Sequence, residues 1–333
     1  MTAMNAIAAA THPDPYPWYA TLARGGLQYD AALKLWIAAS PALIREVMAH
    51  PACRVRPPAE PVPAAIAGSA GELFGMLARM NDGPPHVQAR AILQPVLDAM
   101  DAGTAAAHAR RVAGELAHGG AASMLNRVMG EAPVRVMAEL LGFAPSRGPE
   151  IARLVAAFAA CLSPLSSAAR IGAAHEAARA LLAAMRTLHD APLPVLANMV
   201  GLMSQTYEAT AGLIGNSVIA RWRGHGGTAA ELVARTAQLD PSIQNTRRFL
   251  VEDAQIGGVS LRAGDAVLLL LGAAAREGLG FGHGVHRCPG QRLAETIAVA
   301  ALEVLVQMPL PQQLIWRYRP SVNARIPDFL EAA

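Results

Sequence analysis

The sequence predicts a mainly α fold with small β-sheets, and three observations lead there. The chain of 333 residues is alanine-rich, 53% apolar and only 16% charged, so strong helix formers and a large core are both available. Helix-period stretches run through most of it, whereas two-residue alternation is confined to 33–39 and to 246–271. No run of about 18 apolar residues is unbroken, so the apolar content belongs to a core and no membrane span is expected.

The elements follow in order. Residues 13–58 carry proline-punctuated turns (HPDPYPW, then RPP) around the alternating stretch 33–39, which predicts a strand. Residues 85–160 predict helices with breaks near Gly119-Gly120 and from Gly142 to Gly148. Residues 168–189 form a strong helix pattern, and a long apolar helix runs from about 194 to 222 until Gly224-His225-Gly226-Gly227 ends it. Short strands with glycine turns are expected over 246–271, and helix returns over 291–307. Without an internal repeat or a low-complexity linker, the chain reads as one domain over 1–333.

Composition excludes several function classes. Three widely spaced cysteines, Cys53, Cys161 and Cys288, make a disulfide framework improbable. The first residues lack a basic stretch followed by an apolar one, which argues against secretion and for a cytoplasmic protein. A net charge of +3 is too mild to imply nucleic acid.

Residues 281–290, FGHGVHRCPG, hold the chemistry. Glycines at 282, 284 and 290 permit strained backbone and close approach to a flat ligand, and Cys288 supplies a soft thiolate. The run fills every fixed position of F-G-x-G-x-H-x-C-x-G, from Phe281, Gly282 and Gly284 through His286 to Cys288 and Gly290. It resembles the heme-binding loop of the cytochrome P450 superfamily, in which the cysteine thiolate is the axial ligand to iron. The resemblance extends from end to end and implies a shortened P450-like heme domain holding heme b. Zinc at His283, His286 and Cys288 would need a fourth ligand, and no neighbouring C-x-x-C or H-x-x-x-H supplies one.

Further residues match the family one by one. MNDGPPHVQAR (80–90) looks like the opening of its C helix, with the H-x-x-x-R spacing kept at His86 and Arg90. One helical turn separates them, so both leave the same face and can reach the heme propionates. Arg248 in TRRFLVED matches the propionate-binding arginine on a short strand, and His286 takes the same role. Arg247 faces the other way, because adjacent strand residues alternate. These groups would neutralise carboxylates that are otherwise costly to bury.

Three departures accompany the matches. The family's A-G-x-[DE]-T, where an acid and an alcohol steer protons toward dioxygen, falls on Gln205, Thr206, Tyr207, Glu208 and Ala209. The acid survives as Glu208, but glycine has become Thr206 and the alcohol Ala209. Thr210 lies one residue further, about 100° around the helix. The E-x-x-R positions hold Arg235 and Gln238; the pattern recurs at Glu150/Arg153 and Glu176/Arg179, where it reads as surface helix pairs. Some twenty residues are also missing between Ala274-Ala275-Arg276-Glu277-Gly278 and the cysteine loop. That stretch includes the segment E-x-x-R would anchor, so lock and locked element are gone together.

The resemblance implies monooxygenation of a small metabolite in a biosynthetic pathway, with electrons from a separate ferredoxin or flavoprotein. The departures open two alternatives: heme chemistry without the proton relay (peroxide-driven oxidation, dehydration or rearrangement), and a non-catalytic heme protein. The substrate pocket is expected along 62–79, the 150–190 helices, the 199–209 helix face and 243–246, with apolar and small lining. Met199, Leu202, Met203 and Leu213 read as packing residues.

Overall fold

A computed structural model of the chain describes residues 4–309 and 311–331. Helix α1 (Tyr16–Ala23), strands β1 (Gln28–Asp30) and β2 (Leu35–Ala38), helix α2 (Pro41–Ala49) and strand β3 (Cys53–Arg54) come first. The helical body follows: α3 (Ser69–Met76), α4 (Gly83–Asp98), α5 (Ala102–Leu116), α6 (Ala121–Leu140), α7 (Gly148–Phe158), α8 (Ala168–Arg186), α9 (Leu193–Trp222) and α10 (Ala229–Leu239). Strands β4 (Thr246–Leu250), β5 (Ala254–Ile256), β6 (Val259–Leu261) and β7 (Ala266–Leu269) precede helix α11 (Gln291–Leu305) and the hairpin β8 (Ile315–Tyr318) and β9 (Pro327–Leu330).

The mainly helical expectation holds, as do the glycine breaks and the long helix. The alternating stretch at 33–39 becomes β2, and 246–271 divides into β4 to β7. Five strands form one sheet in the order β1-β2-β7-β4-β3, with β2 and β7 parallel; β5–β6 and β8–β9 are separate antiparallel pairs. Helices α1 and α2 were hidden by the prolines that suggested only turns. Each prolines' position explains this: Pro17 and Pro41 occupy first-turn sites, where a missing N–H costs nothing, and Ser40 caps α2 by accepting from Leu43 N at 3.4 Å.

The core is chiefly helical. Val112, Leu125, Met129, Val200, Ile214, Val218, Ile297 and Leu302 meet between α5, α6, α9 and α11. Met199, Leu202, Met203 and Leu213 are buried in it, in keeping with packing roles. A second cluster joins α2 to β4 and β7 through Ile44, Val47, Leu250, Val267 and Leu269. The register sets Arg248 opposite Val267 in the antiparallel β4–β7 pair, with Arg248 buried.

The shortened connection closes directly. After a 3-10 run at Leu271–Glu277, Gly278 turns left-handed (φ 79°) and Leu279 is buried. At Gly280 a Cβ would lie 3.1 Å from Ala237 O, so α10 rests on the loop without an intervening segment. Neither Arg235 nor Gln238 forms an ion pair among the described residues; Arg235 Nη1 lies 3.4 Å from His225 Nδ1. Of the two recurrences, Glu176 pairs with Arg179, whereas Glu150 takes Arg147 (2.6 Å) in place of Arg153.

A different clasp holds the end of α10. Arg325, 1% exposed, donates through Nε to Asp240 Oδ1 at 2.6 Å and through Nη2 to Pro13 O at 2.8 Å, and stacks 3.8 Å from the Tyr318 ring centroid. The Tyr16 hydroxyl donates to the same Asp240 carboxylate. One side chain thus joins the N-terminal segment, α10 and the C-terminal hairpin. Removing one partner of a buried pair strands the other charge at a cost of about 3–5 kcal/mol. Arg325→Met is therefore expected to lower the free energy of unfolding by about that much, read from the denaturant midpoint.

Candidate active site

The cysteine loop is built by its glycines and tied by backbone bonds. Gly282 (φ 79°) and Gly284 (φ 63°) adopt left-handed backbone that side chains rarely tolerate. Gly290 does not: its φ is −95°, and it serves as the residue before α11. Cys288 N donates to Phe281 O at 2.9 Å, which folds the loop back on itself, and Phe281 packs partly buried against the helical core. Beyond Gly284 and Gly290 a Cβ would meet nothing within 4 Å, so the loop borders open space.

Cys288 is a free cysteine, partly open yet closely surrounded by protein. Burial raises its thiol above the ordinary value, while the Gly290 N–H and the Arg90 charge pull the other way. A metal ion would reverse that balance, since a coordinating thiol gives up its proton. Among the described residues, no three His, Cys, Asp or Glu gather into a metal cluster, at His283, His286 and Cys288 or elsewhere.

The other predicted residues converge on the same region. The rings of His86 on α4 and His286 in the loop lie 4.2 Å apart, centroid to centroid. Arg90, one turn along from His86, acts on both His86 and Cys288 through its charge. His86 is depressed by burial first, then by the charges of His286 and Arg90. Arg248 reaches the group from the sheet. It is buried, and its Nη1 donates to Arg247 O at 2.8 Å; among the described residues its remaining N–H groups have no close acceptor beyond Thr246 Oγ1 at 3.5 Å.

One member of this cluster was not expected. Asp82 accepts from His286 Nε2 at 3.0 Å and from Val55 N at 2.8 Å. Burial works to raise its carboxyl, but the His286 and Val55 hydrogen bonds and the Arg248 charge outweigh it, leaving Asp82 below the usual carboxylate range. The histidine assigned by sequence to a propionate thus already has a resident acid on one nitrogen. The only sequence signal was Asp82's place in MNDGPPH, four residues before His86.

A heme fits what is present: an unpaired soft thiol, glycine-lined space beside it, and basic groups including a buried guanidinium with unmet donors. Such a guanidinium suits a carboxylate.

The residues of α9 form a second group, and no measured contact joins them to Cys288. The helix runs unbroken through 193–222. Thr206 Oγ1 donates to Leu202 O at 2.8 Å, so its hydroxyl is spent on its own helix. Thr210 is 1% exposed, and among the described residues its hydroxyl has no partner. Ala209 is half-buried. Glu208 is crowded by protein while its side chain keeps open surface, as expected on the wall of an internal space. Burial raises its carboxyl, opposed by the charges of Arg79, Arg319 and Arg170. A groove of about 470 Å³ near the C-terminal hairpin, lined by Thr11, Arg223 and Trp316 among others, includes none of the predicted site residues.

No family model matches the chain. Among curated proteins it is 33% identical over 149 residues to a biotin biosynthesis cytochrome P450 of Bacillus subtilis, covering 36% of this chain and 38% of that one. It is 42% identical over 78 residues to a mycinamicin IV hydroxylase/epoxidase of Micromonospora griseorubida, covering 18% and 20%. The matches thus span well under half of these relatives. Likeness of fold extends further: epothilone B-bound cytochrome P450epoK superposes with a TM-score of 0.81 at 18% identity, covering 98% of each chain. P450BioI in complex with an acyl carrier protein gives 0.76 at 20% identity, over 95% of this chain and 97% of that one.

Proposed function

We propose that this chain is a member of the cytochrome P450 superfamily and a heme-thiolate monooxygenase acting on a small organic metabolite in a biosynthetic pathway. The observation that carries the reading is the convergence of Cys288, His86, Arg90, His286 and Arg248 from a loop, a helix and a strand onto one place. The names of the relatives, a hydroxylase/epoxidase and a biotin biosynthesis P450, support oxidation in biosynthesis. The cofactor is heme b, and electrons come from a separate ferredoxin or flavoprotein. No described helix is long and apolar enough to cross a membrane, and we place the protein in the cytoplasm as a single heme-binding domain.

Bound there, the heme would supply activation of dioxygen and transfer of one oxygen atom to the substrate. The chain's own residues bind and orient. Cys288 would hold the iron, in a loop tied by the Phe281 carbonyl and the Gly290 N–H. Arg90, Arg248 and His86 would hold the propionates, with His286 beside them and steadied by Asp82. Glu208 supplies the acid on the long helix, and Ala209 leaves the neighbouring alcohol out.

The test is the spectrum of the reduced, carbon monoxide-bound protein. A Soret band at the thiolate position supports the reading, and absence of any heme band removes it. Charge-assisted hydrogen bonds are worth roughly 1.5–3 kcal/mol each. The Arg90→Gln/Arg248→Gln double variant should therefore lose heme measurably faster to a competing apo-globin, and an unchanged transfer rate would count against the propionate assignment.

A further inference from the structure

The turn that carries Arg79 leans on α9. Asn198 Oδ1 accepts from Ala78 N at 2.9 Å, and its Nδ2 donates to Met76 O at 2.9 Å. A Cβ at Gly201 would lie 2.7 Å from Leu77 Cδ2, so turn and helix touch closely there. Residues seven apart on a helix differ by only about 20° in direction. Glu208 therefore lies on the same face as Gly201, two turns further along, and Gln205 lies between.

The turn thus brings Arg79 toward Glu208. Each is crowded by protein yet keeps open side-chain surface, and each acts on the other through its charge. They do not pair: among the described residues Arg79 has no side-chain hydrogen bond, and no ion pair within 4.0 Å involves either residue. The surroundings add positive charge. Arg56 lies near enough to repel Arg79, with its guanidinium 5.1 Å from the Phe74 ring centroid, and Arg247 repels Arg56 in turn. Crowding by protein pulls Arg79 below its ordinary value, with the Glu208 charge opposing.

The five N–H donors of Arg79 are crowded by protein yet open on one side, with no side-chain acceptor among the described residues. The matching acceptor is planar, bidentate and anionic. We propose that Arg79 is a specificity residue of the substrate cavity and that the substrate carries a carboxylate. The inference rests on the heme-thiolate reading for what happens to that substrate, but not for its binding. It adds one charge, Arg79, to the small and apolar lining expected along 62–79, with Leu77 and Phe74 buried behind it.

Decanoate, methyl decanoate and decanamide serve as probes, titrated by calorimetry into heme-loaded protein whose Soret band has first been recorded. Decanoate is expected to bind at least about tenfold tighter than either neutral probe, the equivalent of one charge-assisted contact. Arg79→Gln should reduce that preference about tenfold or more, and Arg79→Lys should keep part of it; circular dichroism checks that both variants are folded. Equal affinity of the three probes for the parent protein overturns the proposal, as does an undiminished preference in folded Arg79→Gln. Protein lacking a Soret band would fail the heme reading, while its carboxylate preference would still decide this one.

Discussion

Cys288→Ala is expected to abolish the thiolate-type spectrum while leaving helix content largely intact. The side chain sits in a loop whose shape is set by backbone bonds and by left-handed Gly282 and Gly284, so removing one sulfur disturbs little of the fold. The other cysteines provide the control. Cys53 is buried, with burial pushing its thiol up to about 11, and Cys161 is buried with its thiol at about 12. Both behave as small packing residues. Replacing either with Ala should leave the spectrum intact. A thiolate band that survived in Cys288→Ala, or vanished in a folded Cys53→Ala, would reassign the ligand.

Sequence and structure divide according to the range of the interactions involved. The cysteine loop was legible because its requirements are local: glycine at fixed offsets, a soft ligand, and an aromatic to seat the turn. Helix α9 was legible because thirty residues of apolar, helix-forming sequence leave little choice. His86 and Arg90 could be paired from spacing alone. Other features depend on which distant segments meet. Asp82 matters because β3 and the loop come to it, at Val55 and His286. Arg325 is a lone basic residue in sequence, and only folding brings it to Asp240 and to the carbonyl of Pro13. The hairpin β8–β9 has four-residue strands with largely half-buried faces, too short for alternation to show. Arg79 was hidden differently, as one charge at the end of a stretch whose apolar residues set its character. The missing lock at Arg235 and Gln238 was readable, but the Arg325 clasp at the end of α10 was not.

Ala209→Thr is expected to raise the share of electrons that end in product. The long helix offers few proton donors. Thr206 donates its hydroxyl to Leu202 O, and Thr210 is shut in the core, about 100° away from position 209. That leaves Glu208, whose carboxyl is held above its ordinary value by burial and so keeps a proton to higher pH than a solvated acid. An acid alone, without an alcohol to pass the proton on, makes the delivery step slow. General acid–base assistance is typically worth roughly 10²–10⁴-fold. With a surrogate ferredoxin and reductase, the parent protein should consume reductant while forming little product, and peroxide should support turnover better. The threonine variant should form at least about tenfold more product per electron pair. Glu208→Gln, which removes the acid but keeps the shape, should cancel that gain. The measurement is product formed per NADH consumed across the three proteins. Tight coupling in the parent, with nothing added by threonine, would mean that water or the substrate's own functional group carries the proton, and that Ala209 is simply the residue that leaves room for it.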